Sequence, residues 1–497
     1  MAHTTLYRWH RRMGLVVFVA IIAWALSGLS HPIMSRINPR PVAMVPPVSA
    51  ADIAELAPLS AALLANGITE FEQAQLLNIE DGSFYRVEHG DSTTYINARS
   101  GQRVALNDKT YAQQLARYYL GDETHKVVSV ERVTAFDEEY LYINRFLPVY
   151  KVSFERPDNM RAYVEVSTGR LATLIDDRKA FVGWVFRQLH SWVFIENPWV
   201  RTTAMSVMLL AGMGLSFVGL WIVWRGRSKN SDKELRVKRS SSVWHRRLGI
   251  GFGVFMLTFC FSGLYHLLNK PIVAQPELSA PRTLFNAQSL TLNWSDVAQK
   301  GGSAYFHRGS LVEVGGLPYL RLALAAPKLA EKTQKSAVAE HHPNKPMQQG
   351  GRLIYIDAQT SQLCASCERQ HALNLAAHYE GLAEGEPLDS PVEKVTRFSS
   401  DYGFINKRMP VHAVHVGDDG TGDIAQRTVF VETATGALAN RSSFSSKLEG
   451  WSFSYLHKWH FFDPLSKTLR DILLISTTLA ITILCVLGVW VSFKPRS

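Results

Sequence analysis

Four stretches of this 497-residue chain contain no Asp, Glu, Lys or Arg. They are Met13–Ile33, Thr202–Trp224, Leu248–Asn269 and Ile472–Phe493, each 21 to 23 residues long. At about 1.5 Å per residue, each spans a hydrocarbon core of about 30 Å, which reads as a transmembrane helix rather than a buried helix of a water-soluble protein. Cysteine is scarce too, with four in the chain. Cys260 and Cys485 fall inside uncharged stretches and read as packing residues. Cys364 and Cys367 lie outside them with the spacing of a disulfide or redox pair. There is no P-loop, and the glycine run Gly249-Ile250-Gly251-Phe252-Gly253 sits inside a spanning stretch, where it is no dinucleotide loop. The chain carries no flavin- or nicotinamide-binding domain of its own.

The charge that is present is unevenly placed. Arg8, Arg11 and Arg12 precede the first stretch. Arg225, Arg227, Lys229, Lys233, Arg236, Lys238 and Arg239 follow the second, against Asp232 and Glu234. Arg246 and Arg247 precede the third, and Lys494 and Arg496 close the chain. With alternating helices all four clusters fall on one side, which basic excess marks as cytoplasmic. They account for the net charge of +10, so no nucleic-acid partner is needed. A basic start before an apolar stretch also fits a signal peptide, but a near twin recurs in mid-chain, which favours an anchor.

That twin belongs to a repeat. Trp9-His10-Arg11-Arg12-Met13-Gly14 through Ser27-Gly28-Leu29-Ser30-His31 matches Trp244-His245-Arg246-Arg247-Leu248-Gly249 through Ser262-Gly263-Leu264-Tyr265-His266, at a constant offset of 235. Gly183-Trp184, Phe186 and Leu189-His190-Ser191-Trp192 match Gly450-Trp451, Phe453 and Leu456-His457-Lys458-Trp459 at an offset of 267. Between these, Tyr140–Arg145 before Pro148-Val149 resembles Tyr402–Lys407 before Pro410-Val411. The spacing predicts hairpins around Tyr95–Gly101, Tyr163–Gly169, Tyr355–Ser361 and Val431–Gly436. Helices are expected near Lys109–Leu120 and Glu368–Tyr379. Each outside segment then consists of two helix-plus-hairpin modules. Asn38–Ala50 is Pro-rich and reads as a linker. Pro327–Gly350 is a polar insertion into a hairpin that is short at Gly90–Thr93; its His341-His342 reads as a solvated pair or a weak metal site.

In these motifs and their order the chain resembles the PepSY-associated transmembrane proteins over nearly its whole length. The resemblance implies a bacterial inner membrane, cytoplasmic termini and periplasmic modules. It also implies a link to iron acquisition, since some members are haem-containing reductases that release iron from ferric siderophores. The expected fold is an α-helical bundle of four transmembrane helices with two α+β periplasmic domains built from PepSY-like modules, an internal duplication. The boundaries are 1–35 for the first helix, 36–195 for the first outside domain and 196–224 for the second helix. They continue as 225–243 for the basic loop, 244–269 for the third helix, 270–465 for the second outside domain and 466–497 for the fourth helix.

Six histidines sit at repeated positions: His10, His31, His190, His245, His266 and His457. An imidazole at a membrane helix is costly without a partner or a use. Ligation of haem iron by two histidines requires neutral imidazoles from two facing helices, which a repeat supplies. Arg11, Arg12, Arg246 and Arg247 are candidates for the haem propionates, and Gly28 and Gly263 for close approach of a flat ring. The bland reading is that the histidines are interfacial and the arginines are topology anchors. Three ligand pairs are possible, and the repeat does not choose among them. His460 has Val193 at its counterpart and reads as a local surface residue. Cys364 and Cys367 lack the following His of covalent haem attachment, and with His371 they make too small a set for zinc; a disulfide is expected. The expected function is a haem b reductase with two haems, fed by quinol or a cytoplasmic reductase and acting on a ferric siderophore. The rivals are a cofactor-free transporter component and a non-catalytic periplasmic sensor or scaffold.

Overall fold

A computed structural model of the chain describes residues 2–47, 51–80, 82–227, 240–270, 279–302, 305–324, 352–383, 386, 388–399, 401–417 and 427–493. The expected insertion at 327–350 with His341-His342, most of the basic loop, and Lys494 and Arg496 lie outside the described residues. The helices are α1 (Ala2–Ile37), α2 (Leu59–Ala65), α3 (Asp108–Leu120), α4 (Asp177–Ser191) and α5 (Pro198–Arg227) in the first half. In the second they are α6 (Ser240–Leu268), α7 (Trp294–Gly301), α8 (Cys367–Glu380), α9 (Phe444–Ser452) and α10 (Lys467–Phe493).

Met1–Asn38, Arg178–Pro276 and Ser445–Ser497 form one compact unit. Its long helices α1, α5, α6 and α10 contain the four uncharged stretches and are long and apolar enough to cross a membrane. α1 and α6 each pack along both α5 and α10, so they face each other across a diagonal of the bundle. Val17, Ile21, Leu209, Met256, Cys260 and Ile481 fill the centre, with Cys485 against them. Val16, Phe217 and Val486 point outward, each more than half exposed. That is wrong for water and right for lipid.

Pro39–Asp177 and Glu277–Phe444 form the second unit. The first half supplies β1 (Ala51–Asp52), β2 (Glu70–Phe71), β3 (Gln73–Ile79), β4 (Gly82–His89) and β5 (Ser92–Asn97). It continues with β6 (Val127–Val133), β7 (Val149–Phe154), β8 (Arg161–Glu165) and β9 (Arg170–Ile175). The second half supplies β10 (Phe285–Asn286), β11 (Tyr305–Val314), β12 (Leu317–Leu324) and β13 (Leu353–Asp357). It ends with β14 (Val392–Val395), β15 (Val411–Val416), β16 (Arg427–Glu432) and β17 (Ala437–Ser443).

These segments are not two separate domains, as the sequence reading expected. They share a seven-stranded sheet in the order β13-β12-β11-β3-β4-β5, with β1 pairing β11 at its side. The halves meet where β11 runs antiparallel to β3, with Gly309 opposite Leu76. A Cβ at Gly309 would lie 3.1 Å from Leu322 Cδ1 and 3.3 Å from Leu76 Cβ, so a larger residue there would have to push its neighbours aside. The boundaries shift as well, because α4 and α9 belong with the long helices.

The hairpins around Ser167–Gly169 and Ala434–Gly436 form as β8–β9 and β16–β17. Those at Tyr95–Gly101 and Tyr355–Ser361 do not continue as paired strands. After each turn one bridge closes, Ile96 to Arg103 and Ile356 to Leu363, and the chain enters α3 or α8. The reason is local: Asn97 Oδ1 takes the amides of Arg99 and Ser100, and Asp357 Oδ1 those of Gln359 and Thr360. These Asx turns aim the chain off the sheet.

α3 buries Tyr111, Ala112, Leu115, Ala116 and Tyr119, one face at helical spacing, between β6–β9 and Leu77, Ile79 and Tyr95 of the large sheet. Full burial of Leu115 contributes about 1.5–3 kcal/mol. α8 buries Ala372, Leu375, Ala376 and Tyr379 against Val414, Val429 and Val431 in the same manner. Tyr119 donates to the Gly169 carbonyl and Tyr379 to that of Gly436, both at 2.7 Å. The four-stranded sheets β6-β7-β8-β9 and β14-β15-β16-β17 are tied by buried charge. Arg408 reaches Glu432 at 2.7 Å and Glu165 at 3.1 Å, Arg170 also pairs with Glu432, and the Arg408 guanidinium lies over the Phe146 ring.

Candidate functional site

The helical bundle gathers four of the six repeated histidines into two pairs. His10 of α1 and His245 of α6 face each other near one end, ring centroids 6.3 Å apart. Each ring lies against a glycine of a neighbouring helix. A Cβ at Gly219 of α5 would lie 3.0 Å from His10 Cε1, and one at Gly488 of α10 would lie 3.0 Å from His245 Cε1. His245 Nδ1 bonds the Leu484 carbonyl at 3.1 Å. The backbone of Leu215, which stands 269 residues before Leu484, is the corresponding partner of His10.

The second pair sits seventeen residues further along α1, at the level of Ser27, about 25 Å away at 1.5 Å per residue. His190 lies in the last turn of α4, and its Nδ1 meets Ser27 Oγ of α1 at 2.9 Å. His457 ends a single π-helical turn, Phe453–His457, and its Nδ1 meets Ser262 Oγ of α6 at 3.1 Å. Their centroids are 6.4 Å apart. Phe186 stacks on His190, and Phe453 on His457. Two residues after each histidine a tryptophan takes a left-handed backbone, Trp192 at φ 51° and Trp459 at φ 55°. Such a conformation costs about 1–2 kcal/mol for a bulky residue. It turns Trp192 onto Trp24 and Trp459 onto Phe259, centroids 5.2 and 5.7 Å apart. Trp24 Nε1 also donates to the His190 carbonyl at 3.1 Å, fixing the end of α4.

Burial, then the neighbouring imidazoles, holds His190 down to about 4. His457 is lowered to about 3, by burial first and then by His190 and Lys458. Both rings are neutral at pH 7, the form a metal requires.

The other two histidines stand beside this second pair: His31 and His266 are the imidazoles that act on His190. His266 Nδ1 bonds the Glu449 carboxylate, and its ring stacks on Phe453 at 4.0 Å. The counterpart of Glu449 is Val182, so His31 has no equivalent acid. His31 is exposed, with Lys458, Arg470 and Asp471 as its charged neighbours. His460 bonds Asp463 at 2.6 Å and Arg470 at 2.8 Å. Arg11, Arg12, Arg246 and Arg247 are exposed at the His10–His245 end.

The expected glycines are not the close ones. A Cβ at Gly28 would meet nothing within 4 Å among the described residues, and one at Gly263 would reach His457 Cε1 at an ordinary 3.9 Å. The tight positions are Gly219 and Gly488. The signal for them was their common offset of 269 on the returning helices.

A metal–imidazole bond is about 2.0 Å, and the ring centre lies about 1.15 Å beyond the nitrogen. Two imidazoles on opposite faces of one iron therefore have centroids about 6.3 Å apart. Both observed pairs match that separation. In three of the four rings Nδ1 is held by a serine or a carbonyl, which leaves Nε2 for the metal. Among the described residues no group of three or more His, Cys, Asp or Glu gathers around a bare metal ion. The pairs suit an iron that brings its other four ligands with it, as in haem.

Residues 7–496 match the family model described as the PepSY-associated TM region. Comparison with curated protein sequences finds no match.

Proposed function

The chain belongs to the PepSY-associated transmembrane family, and from that premise we propose that it holds two b haems and passes electrons across a bacterial inner membrane to a ferric siderophore. The observation that carries this reading is the pair of imidazole pairs, at 6.3 and 6.4 Å, along one diagonal of the bundle. His10 and His245 would hold one haem and His190 and His457 the other. Haem supplies one-electron chemistry when bound. The protein's own part is to orient the imidazoles, through Ser27, Ser262 and the Leu484 carbonyl, and to keep water from the bundle centre. Trp24, Phe259, Trp192 and Trp459 occupy the outer level as stacked rings.

The basic clusters support cytoplasmic termini and, with them, a position for His10 and His245 toward the cytoplasmic side, where quinol or a separate reductase would supply electrons. The Cys364–Cys367 disulfide supports a periplasmic location for the second unit, since disulfides persist in oxidising compartments. Fe(III) is a hard acid held tightly by hard oxygen donors. Its reduction by one electron to Fe(II) weakens that grip and frees the metal. Such a reaction needs electron delivery and no acid–base residue.

The test is the reduced-minus-oxidised spectrum of the purified chain together with a pyridine haemochrome count. Two haems per chain are expected. His190→Ala/His457→Ala and His10→Ala/His245→Ala should each leave one. Absence of a haem b α-band refutes the cofactor, and an unchanged count in either variant removes that pair as ligands.

A further inference from the structure

Cys364 and Cys367 are joined in a disulfide where the chain enters α8. The same turn is built twice in this unit at an offset of 260. Val104 N donates to the Tyr95 carbonyl at 2.9 Å, and Cys364 N to that of Tyr355 at 2.8 Å. Val104 and Asn107 thus stand where the second half has Cys364 and Cys367. The first-half turn closes without a crosslink, and Asn107 caps α3 by accepting from Thr110 N at 3.0 Å. The second-half disulfide closes a loop of four residues, which withdraws little entropy from the unfolded chain.

Three features suit it to exchange. Cys364 is half-buried and open to attack, while Cys367 is buried. Cys367 is the first residue of the fourteen-residue α8, and Ser366 before it makes no side-chain cap, so the helix amides there are left for a thiolate. The next residue, Glu368, is neutralised by Lys394 at 2.6 Å and bonded to His412 at 3.0 Å. Ser366 Oγ lies 3.8 Å from Cys364 Sγ.

We infer that Cys364–Cys367 is a thiol–disulfide exchange site that takes electrons from a dithiol reductant. The reductant's thiolate attacks Cys364 Sγ, the S–S bond breaks, and Cys367 leaves as a thiolate at the start of α8. The reductant's second thiol then displaces Cys364. The products are the Cys364/Cys367 dithiol and the oxidised, disulfide form of the reductant, with two electrons and two protons moved. This activity is independent of the histidine pairs.

The test treats the full chain in detergent with dithiothreitol, traps thiols by alkylation, and reads the Cys364 and Cys367 peptides by mass. Reduction of the native protein is expected within roughly tenfold of the rate in strong denaturant. A native rate more than roughly a thousandfold slower marks a sealed crosslink and overturns the inference. The second measurement uses Cys364→Val/Cys367→Asn, which installs the first-half residues. Its unfolding midpoint should stay within about 2 °C of the parent, and a loss of about 10 °C would make the disulfide a staple and overturn the inference.

Discussion

Replacing Arg408 with Met tests whether the buried charges between the two four-stranded sheets hold them together. Arg408 bonds Glu432 at 2.7 Å and Glu165 at 3.1 Å, and all three side chains are at most 5% exposed. Glu432 keeps a second cation, Arg170, when Arg408 is lost. Glu165 does not; it retains the Thr168 hydroxyl. The cost is therefore the cost of one stranded carboxylate, about 3–5 kcal/mol. Methionine preserves the stem volume and the contact with Phe146, so little packing loss adds to it. Hydrogen exchange of β8 and β16 in the full chain reads this as a fall in protection of roughly 10²- to 10³·⁵-fold. Adding Glu165→Gln removes the stranded charge and should restore about 2 kcal/mol, or roughly thirtyfold. A single-variant loss below about 1 kcal/mol, or a double variant worse than the single, refutes the reasoning.

Gly219→Ala and Gly488→Ala should each lower haem content while leaving the bundle folded, since alanine adds about 1 kcal/mol of helix propensity but its Cβ would press on the His10 or His245 ring at 3.0 Å. Full haem occupancy in both variants, by haemochrome count, would show that those rings have room to move. Acid should destabilise the sheet-bearing unit. Burial first, then Arg321 and His412, holds His371 down to about 3 from an ordinary 6.5, so the unfolded chain binds a proton that the fold excludes. Its contribution is complete above pH 6.5 and is lost as pH falls toward 3. Glu368, which burial raises but bonds from His412 and Lys394 pull down to about 2, adds a second loss from pH 4.5 toward 2. His371→Gln should flatten the unfolding midpoint between pH 6.5 and 4.5; a profile parallel to the parent's would contradict the assignment. Tyr119→Phe and Tyr379→Phe each strand a carbonyl bonded at 2.7 Å and should cost about 1 kcal/mol, seen as roughly fivefold faster exchange at Gly169 or Gly436.

Local and periodic features were legible in the chain. The four spanning helices announce themselves by missing charge, and α3 and α8 begin and end within a residue or two of the expected ranges. The histidines were found because the repeat marks them. Their pairing was not, because it depends on how α4 and the Phe453–His457 turn deliver His190 and His457 to Ser27 and Ser262. Gly219 and Gly488 look like any glycine of a membrane helix until the rotation of α5 and α10 is known. The joining of β3 to β11 was hidden for a different reason. Both strands are buried over several consecutive residues, which marks them as inner strands, but nothing in either names a partner in the other half of the chain.

That joining bears on how the protein is made. Asn78 Nδ2, within β3, donates to the Phe306 carbonyl across 228 residues of sequence. Synthesis runs at about 5–20 residues per second, so β3 waits roughly ten to fifty seconds for β11. Throughout that interval a bare strand edge is open to any passing chain. Biogenesis of this protein thus includes a period in which the first half is in place, unfinished, and reliant on whatever shields an exposed sheet until its second half arrives.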